Sequence, residues 1–186
     1  MQIDRVLYPI TTLGPNKRIG IWTVGCPHKC YKCSNPELWS MDESKDISIK
    51  GLISYISQYT NDAEGVTITG GDPFLQPNEL YNLLKELRNL GFKDILVYTG
   101  YTIQELKEKY CEILSLIDVL IDGPYVDELN NNIGIMGSSN QNIHILNPEL
   151  GGLYKDMDKT HRIRRNYIMS NKIISVGIPN KLEEEE

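Results

Sequence analysis

The sequence predicts an α/β protein whose mostly parallel sheet forms a partial, open β/α barrel, with a doubly wound flat sheet as the second choice. Short apolar runs alternate with segments whose apolar residues recur at helical spacing, the pattern of strands joined by crossover helices. Five or six such runs are too few for a closed barrel of eight strands. Most of them end in glycine-bearing turns, where sheets of both kinds hold their ligands.

Residues 20–24 (GIWTV) read as the first strand and run into Gly25 and a cysteine cluster. Ile49, Leu52, Ile53 and Ile56 mark a helix over residues 48–59, and Val66-Thr67-Ile68-Thr69 make the second strand, ending at Gly70-Gly71. Leu80, Leu83, Leu84, Leu87 and Leu90 line one face of the next helix, with Pro77 suited to its first turn and Gly91 to its end. Residues 94–99 are the third strand. Thr102 and Glu105 form a capping box that opens a helix with Ile103, Leu106, Tyr110, Ile113 and Leu114 inward. Residues 118–121 are a fourth strand ending at Asp122-Gly123-Pro124, residues 142–146 a fifth, and residues 172–178 a candidate sixth.

The 186 residues are 40% hydrophobic and 24% charged, ordinary for a globular chain. No repeat or Pro/Ser-rich linker divides them, so residues 1–182 are expected to form one domain, with an acidic tail over 183–186. A net charge of −6 has the wrong sign for a phosphate-backbone binder and argues against a nucleic-acid partner. Apolar runs such as Ile95-Leu96-Val97-Tyr98 fall far short of the roughly 20 residues of a membrane helix. Asp4 and Arg5 interrupt any signal-peptide core. The expectation is a cytoplasmic protein with no membrane partner.

Cys26, Cys30 and Cys33 fall in one short loop, spaced C-x3-C-x2-C, while Cys111 stands apart. A disulfide framework would spread its cysteines along the chain, so this cluster points to metal or redox chemistry. Spacing alone leaves three metal arrangements open beside unliganded thiols. The three thiolates can hold a [4Fe–4S] cluster with one iron free for a small molecule, they can bind zinc with His28, or they can hold a cluster capped by Cys111. Gly70-Gly71-Asp72-Pro73 is a turn after a strand, where the lack of a Cβ lets backbone approach a ligand and the carboxylate favours a cation. It would share one rim with the cysteine loop, Thr99-Gly100-Tyr101 and Asp122-Gly123-Pro124-Tyr125.

The three-cysteine loop after the first strand and the Gly-Gly-Asp-Pro turn after the second resemble those of the radical S-adenosylmethionine superfamily. A narrower resemblance rests on four ordered blocks: residues 25–39, 69–74, 118–123, and Gly137-Ser138-Ser139-Asn140-Gln141. These look like the activating proteins of anaerobic (class III) ribonucleotide reductases. The resemblance implies Cys26, Cys30 and Cys33 as ligands of a [4Fe–4S] cluster. It implies S-adenosyl-L-methionine as the second cofactor, with Gly70, Gly71, Asp72, Pro73, Thr99, Asp122 and Gly123 as candidate contacts. The implied activity is reductive cleavage to a 5′-deoxyadenosyl radical, which abstracts a glycine Cα hydrogen from a glycyl-radical protein, an anaerobic ribonucleotide reductase. A small electron donor such as flavodoxin or ferredoxin is implied as well. Two positions depart from the family pattern: Lys32 stands where an aromatic residue often precedes the last cysteine, and Met136 where an arginine precedes Gly137. Radical chemistry on a peptide or small metabolite, and a non-catalytic zinc or electron-transfer module, are the alternatives.

An incomplete barrel leaves its rim uncovered, and residues 126–142 are a candidate docking loop. Cys111 is expected to be a small buried residue on its helix. His28 is expected to face solvent if the cluster is iron–sulfur, and Arg162, Arg164 and Arg165 to form a solvated basic patch.

Overall fold

The structure, a computed structural model, describes residues 1–169 and 172–181, so the acidic tail over 183–186 lies outside the described residues. Six strands, β1 (Ile3–Ile10), β2 (Arg18–Thr23), β3 (Gly65–Gly70), β4 (Ile95–Tyr98), β5 (Val119–Asp122) and β6 (Asn142–Ile145), form one sheet in that order. The helices are α1 (Ile49–Ile56), α2 (Pro77–Asn89), α3 (Ile103–Lys109), α4 (Cys111–Leu114) and α5 (Gly151–Tyr154). Among the described residues, no helix is long and apolar enough to cross a membrane.

β2 to β5 pair in parallel, each with its successor in the chain. The connections therefore all step across the sheet in one direction, and right-handed crossovers put α1 to α4 on a single face. A doubly wound sheet needs a reversal of strand order, and this sheet has none. The strand period of two then sorts the side chains. Ile19, Ile21, Val66, Ile68, Ile95 and Val97 pack under the helices against Leu52, Ile56, Leu80, Leu83 and Leu84. Trp22 and Leu96 alternate to the other face, where two smaller apolar clusters form.

Three expectations change. β1 adds a strand ahead of the expected first one: Asp4, Arg5 and Pro9 break its apolar pattern, and it is an edge strand, antiparallel to β2, where such residues are tolerated. β6 pairs antiparallel with β5, since the connection between them carries only a short 3-10 turn, Asp127–Leu129, and no crossover helix. The candidate sixth strand, β8 (Lys172–Val176), pairs with β7 (Arg165–Met169) in a separate hairpin rather than joining the sheet.

The helices follow their local signals. Ser48 caps α1 by accepting from the Gly51 N–H at 3.1 Å, and Gly91 takes φ +90 just past α2. Thr102 and Glu105 close the expected capping box on α3. The helix expected to continue through Leu114 breaks at Tyr110 (φ −137), whose ring sits 5.6 Å from that of Phe74. Cys111, expected to be buried, is exposed at the start of α4.

On the face away from the helices lies a buried cation. Arg18 has no exposed surface and forms a bidentate pair with Asp94, at 2.5 and 2.9 Å. Its Nε donates to Thr67 Oγ1 at 2.7 Å, and the Tyr154 hydroxyl donates to Asp94 at 2.7 Å. Burial is the strongest single influence and works against the charge, but the bonds to Asp94 together with the charge interactions of Tyr154, Asp94 and Tyr98 outweigh it and hold the guanidinium above its ordinary value. Arg18→Ala would strand Asp94 without its partner. It should cost about 3 to 5 kcal/mol in urea unfolding, and an unchanged midpoint and slope would contradict this account of the network.

Candidate metal centre

β2 delivers the cysteine loop to the C-terminal end of the sheet. Gly25 accommodates the exit with φ +89, and the loop turns twice more through left-handed residues, Lys29 (φ 46) and Lys32 (φ 54). The Gly25 and Cys26 N–H groups bond Leu38 O at 2.8 Å and Trp39 O at 2.9 Å, so both ends of the loop are tied. Burial pushes the Cys26 and Cys30 thiols up; backbone N–H groups of His28 and Lys29 on Cys26, and of Tyr125 on Cys30, pull the other way. The Asn35 N–H lies 3.4 Å from Cys33 Sγ.

The three cysteines line a cavity of about 390 Å³, inside the range of small-molecule sites, ~300–1,000 Å³. Gly70, Gly71, Asp72, Thr99, Gly100 and Gly123 line it too, so all the turns expected on one rim meet there. The glycines at 70 and 71 are needed first by the chain itself. A Cβ on Gly70, at φ +109, would lie 2.5 Å from the Thr23 N, and one on Gly71 would overlap the Gly25 carbonyl oxygen.

Asp72 joins these turns. Its side chain is 1% exposed, and it accepts from the Phe74 N–H at 3.0 Å, the Thr99 hydroxyl at 3.0 and 3.1 Å, and the Gly100 N–H at 2.9 Å. His28 Nε2 stands 2.8 Å from its Oδ2. A carboxylate only accepts, so the imidazole tautomer that fits carries its proton on Nε2. His28 therefore does not face solvent as expected; its ring is packed against Gly100 and edge-on to Tyr101 at 4.6 Å. Among the described residues, no three or more His, Cys, Asp and Glu side chains are grouped to hold a single metal ion. Zinc draws its ligands to one point at about 2.0 to 2.3 Å, whereas the thiolates of a cubane each take a separate iron. Cys111 lies in a different surface hollow, beside Lys109 and Glu112.

Two of the expected contacts stand elsewhere. Asp122 does not line the cavity: its Oδ2 accepts from the Ile103 N–H at 2.7 Å, at the start of α3, and His144 Nε2 lies 3.0 Å from its Oδ1. Pro73 is buried at the start of a 3-10 turn, away from the cavity wall. The Gly137–Gln141 block works by stapling. Gln141 donates to Gly123 O at 2.7 Å and accepts from the Gly137 N–H at 2.8 Å, while Asn140 donates to Pro124 O at 2.8 Å.

The wall also includes residues with no motif around them: Arg5 from the edge strand β1, Trp22 from β2, Tyr98, and residues 175–179. Arg5 stacks over the Trp22 ring at 4.9 Å and donates to Asn35 at 2.8 Å. Its Nε and the Trp39 Nε1 are buried donors without a protein partner, and both residues face the cavity. Such donors fit a polar ligand. The basic patch is not simply solvated either. Arg162 donates to the carbonyls of Met136 at 2.6 Å and Pro179 at 2.7 Å, and to Asn130 Oδ1 at 2.7 Å, which pins the expected docking loop down.

A family model described as a 4Fe-4S single cluster domain matches residues 12–144. The class that this match and the three-thiol loop define is that of single-cluster iron–sulfur proteins. An anaerobic ribonucleoside-triphosphate reductase-activating protein of Escherichia coli (strain K12) is 34% identical over 149 residues, covering 75% of this chain and 96% of that protein. The protein of the same name from Enterobacteria phage T4 is 34% identical over 150 residues, covering 77% and 93%. The chain belongs to the family of anaerobic ribonucleoside-triphosphate reductase-activating proteins. A crystal structure of QueE from Escherichia coli aligns with a TM-score of 0.46 at 22% identity, over 54% of this chain and 53% of that one. The match to the family model ends before α5 and the β7–β8 hairpin.

Asp72→Ala should cost about 1 to 3 kcal/mol for each buried donor left unpaired, and should free the His28 ring, seen as a shifted imidazole resonance in the NMR spectrum. Unchanged stability with an unmoved His28 signal would remove Asp72 from the centre of the site.

Proposed function

We propose that this chain is a radical S-adenosylmethionine activase that installs a glycyl radical on an anaerobic ribonucleoside-triphosphate reductase. The observation that carries the reading is that three thiols from one loop, with the fourth cysteine elsewhere, open onto a cavity walled by the glycine turns of β3, β4 and β5. Cys26, Cys30 and Cys33 would hold a [4Fe–4S] cluster, and Gly70, Gly71, Thr99 and Gly123 would lie against S-adenosyl-L-methionine. When both are bound, the chemistry supplied is a one-electron reductive cleavage that ends in loss of one hydrogen atom from a glycine Cα of the partner.

The chain's own residues prepare the site. Raised thiols release protons as iron binds, so loading should improve with pH. Asp72 and Pro73 act by positioning: the carboxylate fixes the cysteine loop to the turn after β4, and the proline starts the turn that follows. Asp122 positions α3 in the same way. Trp22 and Tyr98 supply apolar wall and limit water at the reacting centre.

The finer features follow the same reading. Consecutive strand order with helices on one face supports a partial, open barrel. A cavity that draws on residues from Arg5 to Pro179 supports one domain over 1–182. Electrons would come from a small donor such as flavodoxin or ferredoxin, and a cytoplasmic setting suits thiols that must stay reduced. The acidic balance of the chain goes with a protein partner rather than nucleic acid.

Anaerobic reconstitution should give about four irons per chain, and dithionite with S-adenosyl-L-methionine should release 5′-deoxyadenosine. Cys30→Ala should lose both the iron and the product, whereas Cys111→Ala should keep both. Loss on Cys111→Ala, or no product from a fully loaded parent, would refute the proposal.

A further inference from the structure

β7 and β8 make a two-stranded hairpin, and a hairpin of that size does not stand alone in water. One of its faces explains how it is held: Tyr167, Ile174 and Val176 pack with Trp22, Ile10 and Leu13, and the Tyr167 hydroxyl donates to Pro9 O at 2.9 Å. The other face is bare. Ile168 and Ile173 are directly paired across the strands, yet they are 86% and 74% exposed. A cross-strand pair of β-branched side chains left in water gains none of the burial that would favour it there.

This face reaches the cavity at the end of β8, as does the packed face through Val176. Ser175 shares the bare face, two positions along β8 from Ile173, and Ser175, Gly177 and Arg164 line the cavity wall. The flanks are positive: residues 161–181 contain Arg162, Arg164, Arg165, Lys172 and Lys181 and no acid, in a chain whose net charge is −6. Of these, Arg164, Arg165 and Lys172 are exposed. The segment also lies beyond the residues matched by the family model. The loop over residues 126–142, by contrast, is fastened internally by Arg162, Ser138 and Gln141.

We propose that the Ile168–Ile173 face of the hairpin is the docking surface for the reductase subunit, meeting an apolar patch edged by carboxylates beside the glycine that enters the cavity. This rests on the activase reading above. An apolar pair on the hairpin that borders the cavity would bury on contact, and Arg164, Arg165 and Lys172 would steer the approach and fix its register.

The test pairs the full chain with the anaerobic ribonucleoside-triphosphate reductase encoded in the same genome. Affinity is measured by sedimentation, and glycyl radical by electron paramagnetic resonance. Ile168→Asp with Ile173→Asp alters exposed side chains only, so the melting temperature and partner-free 5′-deoxyadenosine formation should match the parent. Affinity for the reductase and radical yield at limiting reductase should fall about tenfold or more. Arg165→Glu with Lys172→Glu should weaken binding chiefly at low salt. A parent that binds and activates the reductase while the isoleucine variant does so equally well would overturn the docking face alone. A parent that binds no reductase would overturn the function and the docking face together. A parent dimer that the isoleucine variant abolishes, with reductase affinity unchanged, would give the face to a second copy of the chain and overturn the proposal.

Discussion

The carboxylate of Asp72 is the constraint on which the site depends. Buried at the end of β3, it accepts from its own turn, from the turn after β4 and from the middle of the cysteine loop. An unpaired carboxylate in that position would be costly, so its burial is tolerable only with those donors in place. The cysteine loop cannot swing away from the cavity without breaking the His28 contact. The glycines at 70 and 71 enforce the same closeness sterically, because any side chain there would push the two loops apart.

Arg18 plays the matching part at the other end of the strands. It sits at the start of β2 and reaches Asp94, just before β4, so the two buried polar centres clamp the parallel strands at both ends. Between them the sheet is apolar on both faces. The result is a rigid floor from which the loops at one end can be aimed, which a reactive site needs more than it needs stability.

Much of this was legible in the sequence, for identifiable reasons. The parallel strands are mostly buried, so they read as short, largely apolar runs, and α2 carries its leucines on one face with Pro77 and Gly91 marking its ends. The C-x3-C-x2-C spacing and the Gly-Gly-Asp-Pro turn are local, and local patterns survive without a structure. What failed to show depends on pairing between distant segments. β1 carries charge because Arg5 points at Trp22 and Asn35, a contact that no window of sequence reveals. The partnership of His28 with Asp72 spans 44 positions, and that of Arg162 with Met136 spans 26. The break at Tyr110 arises where its ring meets Phe74, so helical periodicity ran straight through it. Asp122 looked like a rim residue from its place after a strand, but strand ends also cap neighbouring helices.

The central claim is that three thiolates leave one iron of the cluster open to S-adenosyl-L-methionine inside the cavity. Electron paramagnetic resonance of the reduced, iron-loaded protein, recorded with and without S-adenosyl-L-methionine, tests it directly. The account predicts a [4Fe–4S]⁺ signal whose g values move when the nucleotide is added. A signal that stays fixed at saturating nucleotide would mean that no iron is open, and the account would be wrong.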